Sequence, residues 1–333
     1  MLADACVLAL HVVGRQGGDA LSWTSTSQRG QMRVTAEMRI REFARKIKYW
    51  RPRRARKLVL CRPRGGFNDV LCQIDRCRLY AIRNHRKLWV DTNRSGFHDC
   101  LSNYFEPSKG FHFGSPLPQI RDDASCFPTF LAHRLDSYES VYDPSLDNWA
   151  DKETGEPLTF DFSSRYDETI LLHEQCGGGD KSIMALALLR LKKDVRRKVR
   201  QVVESLGKYD AIHVRNTDLT TDYVTWFQRL HDEIDGKVVV CTDDSRCLQY
   251  ARELWGQSLV EVHDVPDVSG APLHSARSED QRTLNVNVLI DLFVLASAER
   301  FHSTTTDQGK TSGFAELAES LRSNPRILKK SLS

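Results

Sequence analysis

The chain has 333 residues, of which 40% are hydrophobic and 28% charged, and its 48 Lys and Arg against 44 Asp and Glu leave a net charge of only +4. At roughly 100–200 residues per domain, that length points to two domains, and the charge balance excludes a polycation built to bind nucleic acid wholesale. No apolar run approaches the ~20 residues that a membrane-spanning helix needs.

Residues 1–31 lack the periodicity of the rest and read as a leader. Met1 to Gly14 is apolar like the middle of a signal peptide, but no basic segment precedes it and His11 interrupts it. Met32 and Met38 are alternative starts. From Arg39 to Lys57 there are ten Lys and Arg and one Glu, with Ile40, Phe43, Ala44, Ile47 and Trp50 at helical spacing before Pro52. This predicts a short basic amphipathic arm. It is suited either to peripheral contact with an anionic membrane through 39–57 or to packing on the body. The expected organisation is 1–56 as leader and arm, 57–180 as an N-terminal α/β domain, and 181–333 as a C-terminal α/β domain.

The body begins with the apolar run Leu58 to Cys61, followed by Arg62-Pro63-Arg64-Gly65-Gly66. Val70, Leu71, Ile74, Cys77 and Ile82 then recur at helical spacing over 68–83, and 87–91 reads as a second strand. Strand, glycine loop, helix and strand make a βαβ unit and imply a parallel sheet. The stretch 93–165 is rich in proline and aromatics and has weak periodicity. After Gly177-Gly178-Gly179 the pattern predicts one long basic helix over 181–206, closed by Gly207. The second half alternates clearly. Strands are expected at 211–214, 238–241 and 259–262, and helices at 223–234, 246–254, 284–298 and 314–322. The helix at 284–298 is apolar nearly all round and so belongs in a core.

The nine cysteines form no CxxC pair, and several sit in apolar runs, as Cys61 and Cys241 do, so they read as buried reduced thiols. No Cys and His cluster has zinc spacing, and the metal expectation is none.

Four loops carry the candidate chemistry, three directly after a strand and one directly before the last helix. In His213-Val214-Arg215-Asn216-Thr217-Asp218 an apolar strand runs into alternating polar residues. The planar donor fork of Arg215 fits phosphate oxygens, and an arginine there stabilises a departing diphosphate more in the transition state than in the ground state. A salt bridge to a neighbouring aspartate is the plainer alternative. Thr242-Asp243-Asp244 offers carboxylates to guanine N–H groups or ribose hydroxyls, or caps the next helix. The loop 303–313, with Thr304, Thr305 and Ser312, brings hydroxyls and backbone N–H groups to a helix N-terminus, an anion site. Its Gly309-Lys310-Thr311 imitates a P-loop, but residue 304 is Thr where that motif needs glycine. Gly65-Gly66-Phe67-Asn68-Asp69 lets the backbone approach a ligand, although it is not a dinucleotide fingerprint.

In this order the four loops resemble the fucosyltransferase superfamily that uses GDP-fucose, which includes the α1,6-, α1,2- and protein O-fucosyltransferases, and the rhizobial nodulation group in particular. Gly65-Gly66-Phe67-Asn68 stands where the family has its early Gly-Gly loop. His213 to Asp218 stands for a His-Val-Arg-Arg-(Thr/Gly)-Asp motif, and Thr242 to Asp244 for its Thr/Ser-Asp-Asp. Asp291, Leu295, 303–312 and Phe314 match its closing Asp-x-x-x-Leu, hydroxyl-rich loop and helix. The resemblance covers about 57–322 and implies an α/β chain of the GT-B fold, two Rossmann-like domains facing across a cleft. It further implies inverting transfer from a GDP-sugar with no cofactor or metal. Gly65, Gly66, Asn68, His213, Asp243, Thr304, Thr305 and Ser312 would bind the donor. Arg215 would clamp the β-phosphate, and Asp218 and Asp222 are the candidate bases. The motif's second arginine is Asn216 here, which leaves the donor sugar open.

The expected function is therefore a metal-independent hexosyltransferase of glycan biosynthesis. It would move fucose from GDP-fucose to a glycan or lipid-linked oligosaccharide, in the cytoplasm or at the inner membrane face. The alternatives are a GT-B transferase of another nucleotide sugar and a non-catalytic nucleotide- or glycan-binding module. A nucleic-acid partner is not expected, because aromatics are not interleaved with the basic runs.

Overall fold

Four consecutive apolar residues suit a strand covered on both faces, and Leu58–Cys61 forms one, β1, buried throughout. The computed structural model describes residues 57–106, 111–114, 124–179, 181–218, 220–265, 277–305, 309 and 311–333. The leader and nearly all of the basic arm lie outside them.

The loop after β1 opens helix α1 (Phe67–Arg83). Strands β2 (Lys87–Val90), β3 (Phe105–Glu106), β4 (Phe111–Phe113) and β5 (Cys126–Phe127) follow. Next come a hairpin of β6 (Ser140–Asp143) and β7 (Asn148–Asp151), and then β8 (Ile170–His173). Strands β4-β2-β1-β8-β5 make a five-stranded parallel sheet in that order. The stretch 93–165 thus holds short strands, too brief to impose a period on the sequence.

The single helix expected over 181–206 is broken. It is α2 (Ser182–Leu186), β9 (Arg190–Leu191) and α3 (Lys193–Leu206). Strand β9 pairs antiparallel with β3, and Lys192 N–H donates to the Tyr104 carbonyl at 2.8 Å. Leu189 and Leu191 are buried and Arg190 between them is exposed, so a two-residue period set by tertiary pairing overrides the local helical pattern.

The second half runs β10 (Asp210–Val214), α4 (Tyr223–Glu233), β11 (Val238–Thr242), α5 (Ser245–Trp255), α6 (Gln281–Ser297), β12 (Arg300–Ser303), α7 (Gly313–Arg322) and α8 (Pro325–Leu332). Its parallel sheet has the order β11-β10-β12. The strand expected at 259–262 is reduced to one bridge from Leu259 to Val238. Glu261 instead turns out to Arg252, at 2.6 Å. The third strand is β12, over residues that read in the sequence as the approach to a loop. Its Arg300 pairs with Asp210 at the start of β10, at 2.5 Å. Helix α6 is buried along most of its length, as its composition requires.

The two halves touch through α6. Asn285 Nδ2 donates to the Phe97 carbonyl at 2.7 Å and to the Tyr104 hydroxyl at 2.9 Å. Six of the eight described cysteines are buried, and all eight are free thiols. Among the described residues no helix is long and apolar enough to cross a membrane, and no three His, Cys, Asp or Glu side chains gather as metal ligands.

Candidate active site

Strands β10 and β11 run side by side with His213 opposite Cys241 and Val214 opposite Thr242. Arg215 and Asp243, each one residue past its strand, therefore emerge together at the C-terminal edge of the sheet, where open α/β sheets bind ligands. Asp243 accepts from the Asn216 N–H at 2.9 Å and from the Thr217 hydroxyl at 2.6 Å. Asn216 donates from Nδ2 to Asp244 at 2.7 Å and accepts from the Thr221 N–H at 2.9 Å. The residue that stands in place of a second arginine thus ties the two loops together.

Arg215 Nε and Nη2 both donate to Asp218 at 2.7 Å, and Nε lies 3.9 Å from Asp243. Burial works against its charge, but the hydrogen bond to Asp218 and the carboxylates of Asp218, Asp243 and Asp69 outweigh that and raise its pKa. His213 is buried and its pKa falls to about 4, chiefly through burial and against the pull of Asp243. It is a neutral imidazole at pH 7, its ring centroid 5.6 Å from that of Phe314.

Two helix N-termini meet at this edge. Helix α7 is capped by Ser312, whose hydroxyl accepts from the Phe314 N–H at 3.3 Å. Helix α1 starts after Gly65, which adopts φ +84°, and Gly66, whose N–H donates to Asp69 at 3.1 Å. A side chain at Gly313 would put Cβ 2.7 Å from Nδ2 of Asn68, so α7 approaches α1 as closely as it does only because that position is glycine. Asn68 is 5% exposed, and neither atom of its amide has a hydrogen-bond partner among the described residues.

These groups line one cavity of about 270 Å³. Its walls include Gly66, Asn68 and Asp69 from the start of α1, and His213, Arg215 and Asp243 from the second sheet. Ser312 and Gly313 come from α7, and Leu284, Val288 and Asp291 from α6. Asp291 accepts from His263 Nε2 at 2.7 Å. Burial alone would lower the His263 pKa, but the Asp291 charge raises it to about 9, so His263 is protonated at pH 7.

Of the residues singled out in the sequence, Gly66, Asn68, His213, Arg215, Asp243 and Ser312 share this cavity. Gly65, Asp218, Asp222, Thr304 and Thr305 are not among its lining residues. Asp222 is the N-cap of α4, accepting from the Thr225 N–H at 3.2 Å. Asp218 is engaged with Arg215, as the salt-bridge alternative has it. Thr305 bridges to Thr311 across the loop. Sequence reasoning missed Asn285 and gave no role to Asp69 or Asp291. The available signal was polar residues in unexpected places: Asn285 and Asp291 within a largely apolar helix, and Asp69 straight after a glycine loop.

No protein-family model matches the chain, and no curated protein matches it. Solved structures do. The α-1,6-fucosyltransferase NodZ soaked with GDP-fucose superposes with a TM-score of 0.55 at 20% identity, over 80% of this chain and 92% of that one. The chain has the fold of NodZ. A second structure, fucosyltransferase NodZ from Bradyrhizobium, gives a TM-score of 0.53 at 18% identity over 79% of this chain and 91% of that one.

Proposed function

We propose that the chain is an inverting glycosyltransferase that moves fucose from GDP-fucose to a glycan hydroxyl. Its two sheets would belong to two Rossmann-like domains, 57–180 and 181–333, in the GT-B arrangement. The observation that carries this reading is the convergence of Arg215 with the N-termini of α1 and α7 on one cavity. Each helix N-terminus presents unsatisfied N–H groups and a partial positive charge, and arginine adds a bidentate fork, so together they suit a diphosphate. A NodZ structure soaked with GDP-fucose supports the same choice of ligand.

The chemistry follows from that placement. The cavity wall of Leu284 and Val288 offers an apolar slot for a base, with the Asp291 carboxylate beside it. Guanine presents adjacent N1–H and N2–H donors to a carboxylate, which uracil and thymine do not. As the bond from the anomeric carbon to the β-phosphate breaks, negative charge grows on the phosphate, and Arg215 with the two helix termini stabilises it there. Charge stabilisation by this chain's own donors needs no metal.

Two measurements test the reading. GDP should raise the melting temperature more than UDP or dTDP at equal concentration; a larger shift with UDP or dTDP would reassign the donor. GDP release from GDP-fucose by the wild type no faster than by Arg215→Ala would sink the transferase assignment.

A further inference from the structure

We propose that Asp69 is the general base that takes the proton from the acceptor hydroxyl. The proposal rests on the transferase reading above. Three carboxylates line the cavity: Asp69, Asp243 and Asp291. Asp243 accepts from Asn216 and Thr217, and Asp291 is paired with His263. Asp243 is committed as an acceptor to a neighbouring loop, and Asp291 to His263 and, on the reading above, to the guanine base. Asp69 accepts one backbone N–H, from Gly66 at 3.1 Å, on Oδ2. Oδ1 faces the Gly177–Gly179 segment, where a Cβ at Gly178 would lie 2.8 Å from it. Glycine at 178 and at 65 lets the backbone pack against the carboxylate without a clash, and the cavity gives its remaining access. Asp218 and Asp222 are excluded by position, since one grips Arg215 and the other caps α4.

Asp69 sits on the α1 side of the cavity, and Arg215 faces it closely enough for their charges to interact. A hydroxyl placed between Asp69 and the anomeric carbon attacks opposite the diphosphate. The new C–O bond forms as the bond to the β-phosphate breaks. GDP leaves with the electron pair, and the proton passes to Asp69. Burial raises the Asp69 pKa against the opposing pull of the Gly66 N–H and Arg215, which makes it a stronger base than an exposed aspartate. The other titratable groups that interact with it are Cys72 on α1 and Cys176 after β8. Burial raises both thiols, Cys72 to about 11, so they stay neutral through the acidic range.

The test uses GDP-fucose with water and with azide as nucleophiles, because water must lose a proton and azide has none to lose. Asp69→Asn keeps an acceptor for the Gly66 N–H and removes a charge that burial disfavours, so it should fold at least as stably as the wild type at pH 7. With water it should lose at least about 100-fold in rate, while azidolysis and GDP affinity stay within about threefold. The wild-type rate should fall with acid along a limb that the variant lacks. Equal losses with water and azide would overturn the proposal, as would an unchanged acid limb. If the wild type releases no GDP from GDP-fucose, the transferase reading itself fails and the base assignment falls with it. A wild type that turns over beside an equally active Asp69→Asn sinks the base assignment alone.

Discussion

His263 Nε2 lies 2.7 Å from Asp291 Oδ1, joining the segment after α5 to a carboxylate on the buried helix α6. The side chains are 15% and 13% exposed, so solvent screens the pair little. With a folded pKa of about 9 against an ordinary value near 6.5, His263 binds its proton more tightly in the folded state. Its contribution to stability is therefore complete below about pH 6.5 and is lost as pH rises towards 9. Denaturant midpoints at pH 6, 7.5 and 9 should show a fall on the order of 1–3 kcal/mol that His263→Gln lacks. His213 and His173 act in the other direction. Their pKa values fall to about 4 and about 3 through burial, so they destabilise the fold as pH drops below about 6.5.

Asn68 carries the stability cost of a buried amide with no hydrogen-bond partner among the described residues, although it lines the cavity. Asn68→Leu, similar in volume, should raise stability by about 1 kcal/mol and at the same time weaken GDP-fucose binding by at least about tenfold. Paired melting and titration calorimetry would check this, and a variant that loses stability and binding together would contradict it.

Asp218 orients Arg215 by a two-point contact, which makes it a positioning residue. Asp218→Ala should raise KM for GDP-fucose about tenfold or more, because the guanidinium loses its fixed plane. Asp218→Asn keeps one acceptor and should fall between. Steady-state kinetics on folded protein distinguish this from a base, whose loss would lower kcat and leave KM alone.

Asp222 caps α4, and Asp222→Ala should cost about 1 kcal/mol in denaturant stability. Asp222→Ser, which still caps, should recover most of it. If Asp222→Ala left stability unchanged, the capping role would be wrong.

The legible parts of the fold were those in which local pattern and tertiary environment agree. The runs Leu58 to Cys61 and Val238 to Cys241 have one reading, a strand buried on both faces, and the periodic stretches 68–83 and 284–298 have one reading as helices. Leu189-Arg190-Leu191 was misread because its neighbours favour helix, while its actual partner, Phe105-Glu106, lies more than 80 residues away. Arg300 to Ser303 gave little apolar signal because this strand is only half-buried.

What the sequence determined by itself is that an arginine follows a buried strand, and that Gly65-Gly66, Asp243 and Ser312 mark loop ends. These follow from residue type and local order, since a strand must end where its apolar run does and glycine and serine serve turns and caps wherever they occur. Tertiary structure decided which aspartate does what. Asp69, Asp218, Asp222, Asp243 and Asp291 are chemically identical, and their environments separate them: a half-buried helix start, an arginine's fork, a helix cap, a loop tie and a histidine's partner. Burial and partners set the state and role of a carboxylate, and both come from contacts between distant parts of the chain.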